Sequence, residues 1–272
     1  MIGIVLLRMP LVLCLSIPAV LFLIIAETFS DKTDNKRVGA SPSLTVVYDN
    51  IPHDGRLKTD WGFGCVIRLD GGTMLFDTGE QGPILLNNMA QVGVDPKRID
   101  TIALSHIHSD HVGGLDDFLS LNNNVDIYAP ASFPDSFKLS VAQAGGRLHN
   151  LVEPASIADG IYSTGDLDGE AALAIDTDKG LIVITGCAHP GVVRLVQRAK
   201  KISGRPVELV LGGFHLLDKS EGQVESVIKS FRRLGVRTVA PTHCTGADAI
   251  KMFQAEYGKY CRDIGAGWVH VF

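Results

Sequence analysis

The chain has 272 residues, enough for one large α/β domain or two small ones. Hydrophobic residues make up 46% of it, which excludes a disordered chain and can fill a substantial core. With 25 basic against 30 acidic residues, a net charge of −5 and no arginine-rich run, nothing in the charge pattern suggests nucleic acid as a standing partner.

Residues 1–26 are almost wholly apolar, with Arg8 the one charge. Such a stretch at an N-terminus reads as a secretory signal peptide or an uncleaved transmembrane anchor. Ala26 is small but Ile24 is bulky, so a cleavage site is poorly defined, and Pro10 and Pro18 do not forbid a membrane helix. The expectation is an exported or membrane-anchored, extracytoplasmic protein, touching the membrane through this segment if it stays uncleaved. The flanking Lys32, Lys36 and Arg37 are mixed with Asp31 and Asp34 and leave the orientation open. Residues 27–43 are polar and read as a linker, and residues 44–272 as the catalytic domain. Cys65, Cys187, Cys244 and Cys261 have no CxxC spacing and indicate no disulfide scaffold.

Within residues 44–272 the pattern alternates strands with helices. Strands are predicted over 43–47, 65–69 and 73–76, with Asp70-Gly71-Gly72 turning the last two into a hairpin. An amphipathic helix follows over 83–94, Pro83 suiting its first turn. A strand over 99–104, a helix over 112–121 and a short strand over 125–129 come next. Residues 131–158 show no regular pattern. A second strand pair, 171–175 and 181–185, turns around Asp178-Lys179-Gly180. Helices over 192–202, 223–234 and 248–257 then alternate with strands over 207–211, 236–240 and 268–271.

The densest chemistry lies in Ser105-His106-Ile107-His108-Ser109-Asp110-His111-Val112-Gly113-Gly114, with three imidazoles and a carboxylate within six residues. Imidazole and carboxylate are first-choice ligands for zinc and several other divalent metals. If the strand ends near Ser105, two-residue spacing puts His106 and His108 on one side of the backbone. Asp110 and His111 then fall in the turn that opens the helix near Val112. Two ligand pairs leaving one strand end in two directions suit two metal ions close together. An accidental cluster of this density would be costly to place without a partner that satisfies it.

The pattern H-x-H-x-D-H resembles the metal-binding signature of the metallo-β-lactamase fold superfamily. Met74-Leu75-Phe76-Asp77-Thr78-Gly79 is similar to its early strand-turn. Thr185-Gly186-Cys187-Ala188-His189-Pro190-Gly191 and Pro241-Thr242-His243-Cys244-Thr245-Gly246 fit its later ligand positions. With Leu209 to Leu216, these segments resemble the subgroup that includes the archaeal dihydropterin ribofuranosylaminobenzene phosphate synthase and related bacterial metallohydrolases. The resemblance implies a four-layer αββα sandwich, with the candidate ligands converging on one rim. It implies that Asp77 steadies a ligand histidine from behind, and that Asp49, Asn50 and Trp61 line the pocket mouth.

The chain also departs from the superfamily pattern. Cys187 stands where many members carry a bridging Asp, and it is either a ligand or a buried small hydrophobe. No histidine lies in residues 160–165, where many members have one, and His189 is the obvious substitute, its alternative being an ordinary loop histidine. The expected division is His106, His108 and His189 on one metal and Asp110, His111 and His243 on the other. The cofactors would be two divalent ions, zinc first, with manganese or iron also compatible. Asp110 and His215 are the candidate catalytic residues, His215 binding substrate or protonating the leaving group. His53, His149 and His270 carry no motif and read as surface residues.

Three functions fit. The leading one is a metal-dependent hydrolase that uses metal-activated hydroxide on a small-molecule ester, lactone or phosphoester. The second is a synthase like the subgroup's archaeal member, which sits awkwardly behind an export segment. The third is a non-catalytic metal-binding module, against which the open rim of ligands argues.

Overall fold

The computed structural model describes residues 42–272. The apolar N-terminal segment and nearly all of the expected linker lie outside the described residues. Among the described residues no helix is long and apolar enough to cross a membrane.

The first half runs β1 (Ser43–Asp49), β2 (Phe63–Leu69), β3 (Gly72–Phe76), α1 (Gly82–Gln91), β4 (Thr101–Ala103), α2 (Ser109–Val112), α3 (Leu115–Leu121), β5 (Asp126–Pro130), α4 (Asp135–Gln143) and β6 (Arg147–Leu151). The second runs β7 (Ala155–Ala158), β8 (Ile161–Ser163), β9 (Leu173–Thr177), β10 (Gly180–Thr185), α5 (Val192–Ser203), β11 (Val207–Gly213), α6 (Glu221–Leu234), β12 (Thr238–Thr242), α7 (Ala247–Tyr257) and β13 (Val269–Val271). A seven-stranded sheet has the order β13-β1-β2-β3-β4-β5-β6, and a six-stranded sheet the order β12-β11-β10-β9-β8-β7. Strands β3 to β6 and β10 to β12 run parallel, which places their C-terminal ends, and the loops leaving them, along one rim.

The strands are buried on both faces, so they read as continuous apolar runs. In β10, Ile182 and Ile184 point into the core between the sheets, where they join Phe63, Phe76, Leu209 and Leu211. Their neighbours Leu181 and Val183 point outward, into a core shared with Leu195 of α5, Phe231 of α6 and Phe253 of α7. The outer face of the first sheet packs Val66, Leu75 and Ile102 against Leu85 and Met89 of α1 and Phe118 of α3. The result is a four-layer αββα sandwich. Local signals bound the helices: Pro83 sits in the first turn of α1, Ser220 and Gln223 form a capping box on α6, and left-handed Gly204 and Gly235 end α5 and α6.

Five expectations need correction. Helical structure begins at Ser109 rather than near Val112, so Asp110 and His111 lie within the single turn α2, and the helix breaks at Gly113-Gly114 before α3 resumes at Leu115. Residues 131–158 contain α4, β6 and β7; β6 shows three exposed residues in five, so its apolar signal is weak. Strand β4 spans only Thr101–Ala103, and α1 ends at Gln91. His270 is half-buried rather than at the surface, stacked on Trp268 with ring centroids 5.6 Å apart.

Candidate metal centre

The rim gathers six histidines, two carboxylates that face the cluster from outside, and two thiols. His106 and His108 follow β4 with His106 buried, Asp110 and His111 ride on α2, His189 follows β10, His215 follows β11 and His243 opens the turn after β12. Two groups of candidate ligand atoms result. One comprises His106, His108 and His189; the other comprises Asp110, His111, His243 and Cys187, each with its ligand atoms within 4.8 Å of one another. The groups touch through His106 and His111, whose ring centroids are 4.2 Å apart.

The second group has the dimensions of a coordination shell. Asp110 Oδ2 lies 3.4 Å from His111 Nε2 and 3.2 Å from His243 Nε2. Cys187 Sγ lies 3.2 Å and 3.4 Å from the same two nitrogens. A tetrahedral ion with bonds of ~2.0–2.3 Å needs ligand atoms about 3.3–3.7 Å apart. The Cys187 sulfur therefore faces the other three ligand atoms, at the fourth corner of the group.

Four of the six imidazoles are held by a partner behind the ring. Asp77, fully buried, accepts from His111 Nδ1 at 2.7 Å, from Ser105 Oγ at 2.7 Å and from the Ser105 amide at 2.7 Å. Ser105 Oγ, its proton committed to Asp77, accepts from His106 Nδ1 at 2.9 Å. Asn50 Oδ1 accepts from His243 Nδ1 at 2.9 Å, and Glu170 Oε2 from His189 Nδ1 at 2.9 Å. With Nδ1 of these four rings engaged behind, Nε2 is the atom each turns inward, the arrangement a metal site needs, and at His111 a bound cation would take the place of the Nε2 proton. His106 Nε2 is buried without any hydrogen-bond partner. Such an orphan costs about 1–3 kcal/mol, which a coordinated cation would offset.

The charges agree with the geometry. Burial, reinforced by the neighbouring imidazoles, holds His106 far below the ordinary histidine range and so neutral. Burial pushes His111 the same way, but Asp77 and Asp110 outweigh it and raise His111 to about 10. Burial would raise Asp110, yet hydrogen bonds from His111 and His243 hold it well below the carboxylate range. Burial likewise opposes Glu170 and is outweighed by the donors from residues 188–189.

Backbone strain marks the same rim. Asp77, Ala188, His215 and His243 all have positive φ, between 50° and 66°, a conformation costing about 1–3 kcal/mol for a residue with a side chain. Gly186 is required for close approach: a Cβ there would overlap Ser105 Oγ.

Several residues stand apart from expectation. Glu170 is a brace the sequence reading missed: 1% exposed, it also accepts the amides of Cys187, Ala188 and His189 at 3.1, 2.7 and 2.8 Å. The available signal was an acidic residue directly before the apolar run of β9. Asp49 is fully buried rather than at the pocket mouth, because it accepts from Thr242 Oγ1 at 2.6 Å and the Ile51 amide at 2.9 Å. Trp61 does reach the rim, 40% exposed with its ring 4.8 Å from His243. Trp61 and Leu217 border a cavity of about 380 Å³ beside His243. His215 lies beyond the end of β11, opens to solvent and sits against His189, ring centroids 4.5 Å apart and tilted by 52°. His53 and His149 are exposed, the latter bonded to Asp126.

Comparisons with known proteins bear on the family and the fold. The family model of the metallo-beta-lactamase superfamily matches residues 65–202. The chain is 33% identical to 7,8-dihydropterin-6-methyl-4-(beta-D-ribofuranosyl)-aminobenzene-5'-phosphate synthase of Methanocaldococcus jannaschii, over 89% of this chain and 98% of that protein. The crystal structure of Tm1679, described as a metal-dependent hydrolase of the beta-lactamase superfamily, superposes with a TM-score of 0.73 at 26% identity, covering 85% of this chain and 99% of that one. YhfI of Bacillus subtilis, a metallo-beta-lactamase fold protein, shares the fold at a TM-score of 0.62 and 15% identity, over 85% and 99% of the two chains. The chain belongs to the metallo-beta-lactamase superfamily.

Proposed function

We propose that the protein is a dinuclear metal-dependent hydrolase of esters, lactones or phosphoesters. The observation that carries this reading is the set of four inward-facing Nε2 atoms, those of His106, His111, His189 and His243, each held by a hydrogen bond behind its ring. His106, His108 and His189 would hold one divalent ion, and Asp110, His111, His243 and Cys187 the other, zinc suiting the nitrogen, oxygen and sulfur donors best. Such a pair, when bound, lowers the pKa of water towards ~7 and polarises a substrate oxygen.

The chain's own residues do the rest. Asp110 stays ionised between His111 and His243 and accepts hydrogen bonds from the reacting water or hydroxyl. Asp77, Ser105, Glu170 and Asn50 hold the Nδ1 side of His111, His106, His189 and His243, so those four rings do not turn. His215, raised above the ordinary range chiefly by its hydrogen bond to Cys244, carries a proton at the open edge beside His189. It serves as the acid for the leaving group. Trp61 and Leu217 offer apolar walls beside His243 for the part of the substrate that does not react.

A second reading, a synthase joining a pterin to an aminobenzene ribofuranosyl phosphate, draws support from the 33% identity to the Methanocaldococcus jannaschii enzyme. One screen separates them. The zinc-loaded protein is offered model phosphodiesters, lactones and carboxylic and thioesters, and separately the two synthase substrates. Hydrolysis of a model compound is expected; condensation alone would select the synthase, and no turnover of either would sink both. We further propose that residues 1–26 export or anchor a catalytic domain of residues 44–272. Cell fractionation with a C-terminal tag tests this, and a soluble cytoplasmic pool would contradict it.

A further inference from the structure

Beyond the two clusters, the rim holds a third. Cys187, His215 and Cys244 bring two sulfurs and an imidazole nitrogen within 4.8 Å of one another. Cys244 belongs to neither of the clusters already described. Both thiols are free and buried, at 4% and 5% exposure, while His215 opens to solvent.

The backbone is built to keep these three atoms together. The amides of Leu216 and Leu217 both donate to the Cys244 carbonyl at 3.2 Å, and the Phe214 amide donates to Thr245 Oγ1 at 3.0 Å. These bonds hold the loop after β11 against the turn after β12 on both sides of His215. They sustain its strained φ of 55°, which an unconstrained loop would relax. Gly213 supplies the space: a Cβ there would stand 2.6 Å from Cys244 Sγ and 3.3 Å from Cys187 Cα. A side chain at 213 would therefore wedge the two cysteines apart.

We infer that Cys187, His215 and Cys244 form a third cation site, selective for thiophilic ions such as Cd²⁺ or Cu⁺. Two sulfurs and one imidazole are a soft donor set, poorly matched to Mg²⁺ or Mn²⁺. Three protein ligands with one edge open to solvent leave a position for an exogenous ligand. Binding of Cd²⁺ forms two Cd–S bonds and one Cd–N bond, and the protons held among Cys187, Cys244 and His215 are displaced to solvent. Cys187 is shared with the Asp110 cluster, so an ion at the third site is joined through that sulfur to the hydrolytic centre. The inference is read by binding alone, so a failure to find turnover leaves it standing.

Fully reduced, metal-free protein is titrated with Cd²⁺ while thiolate-to-metal charge-transfer absorbance is followed. About three equivalents are expected, against about two for Cys244→Ser, whose final absorbance should fall by about half as one of two thiolates is lost. Mn²⁺ should fill no third site. Equal stoichiometry for the wild-type chain and Cys244→Ser, or full absorbance in Cys244→Ser, overturns the inference, whatever number of ions the other two clusters take. Should Cys244→Ser fail to fold, His215→Ala gives an independent reading. The third equivalent should then bind at least about tenfold more weakly, and unchanged affinity overturns the inference as well.

Discussion

His111 Nδ1 lies 2.7 Å from Asp77 Oδ2, and that bond decides which nitrogen His111 turns towards Asp110 and Cys187. Asp77 is fully buried and takes two further hydrogen bonds from Ser105, whose hydroxyl in turn fixes His106. One carboxylate therefore orients a ring in each cluster. On the opposite side Glu170 does the same for His189 while gathering three amides of its loop.

Replacing these braces should separate orientation from ligation. Asp77→Asn keeps the size of the side chain but cannot accept from every present donor. Zinc affinity should fall about 10–100-fold with the fold retained, measured by competition with a chromophoric chelator. Glu170→Gln should weaken zinc by a similar factor and also lower the melting temperature, since three backbone amides lose a charged acceptor. Wild-type affinity in both variants would remove the bracing role.

Asp110 is expected to be indispensable to turnover and dispensable to folding. Its carboxylate pairs with His111 and His243 at the rim. Asp110→Ala should reduce hydrolysis below detection while leaving the circular dichroism spectrum unchanged. Activity within tenfold of wild type would dismiss its assigned role.

Cys187→Ser exchanges the sulfur 3.2 Å from His111 Nε2 for a poorer donor. About tenfold or greater weakening of one zinc equivalent is expected, with the other unaffected, by isothermal titration calorimetry. Two equivalents of unchanged affinity would return Cys187 to the core.

Metal removal should change how stability depends on pH. In the metal-free protein His111 has its folded pKa raised to about 10, above the ordinary 6.5, by Asp77 and Asp110 acting against burial. The stability this gives is fully present below pH 6.5 and is lost as pH rises through about 10. Thermal melting of metal-free protein should therefore drop between pH 7 and 10. Bound metal replaces that proton, so the loaded protein should show a smaller drop, and its metal affinity should rise with pH. Parallel profiles for the two forms would contradict this assignment.

The sequence carried the site where ligands lie close together along the chain or follow apolar strands. His106, His108, Asp110 and His111 share one loop and turn, while His189 and His243 each follow a strand that could be read from its apolar run. Asp77 was legible only through its strand-turn motif. The braces from far away were not. Asn50 meets His243 across 193 residues, and Glu170 acts mainly through backbone amides, whose donors have no residue signature. Among the elements, α4 and β6 escaped because they cover an edge of the sheet and expose much of their surface, so neither has strong apolar periodicity. The start of α2 was misplaced because its two polar ligands, Asp110 and His111, are buried for chemistry and break the amphipathic pattern.

The central claim is that these residues hold a pair of metal ions. Elemental analysis of the protein, purified without chelator and dialysed free of loosely held ions, tests it most directly. The account predicts about two divalent transition-metal ions per chain; one ion or none would contradict it.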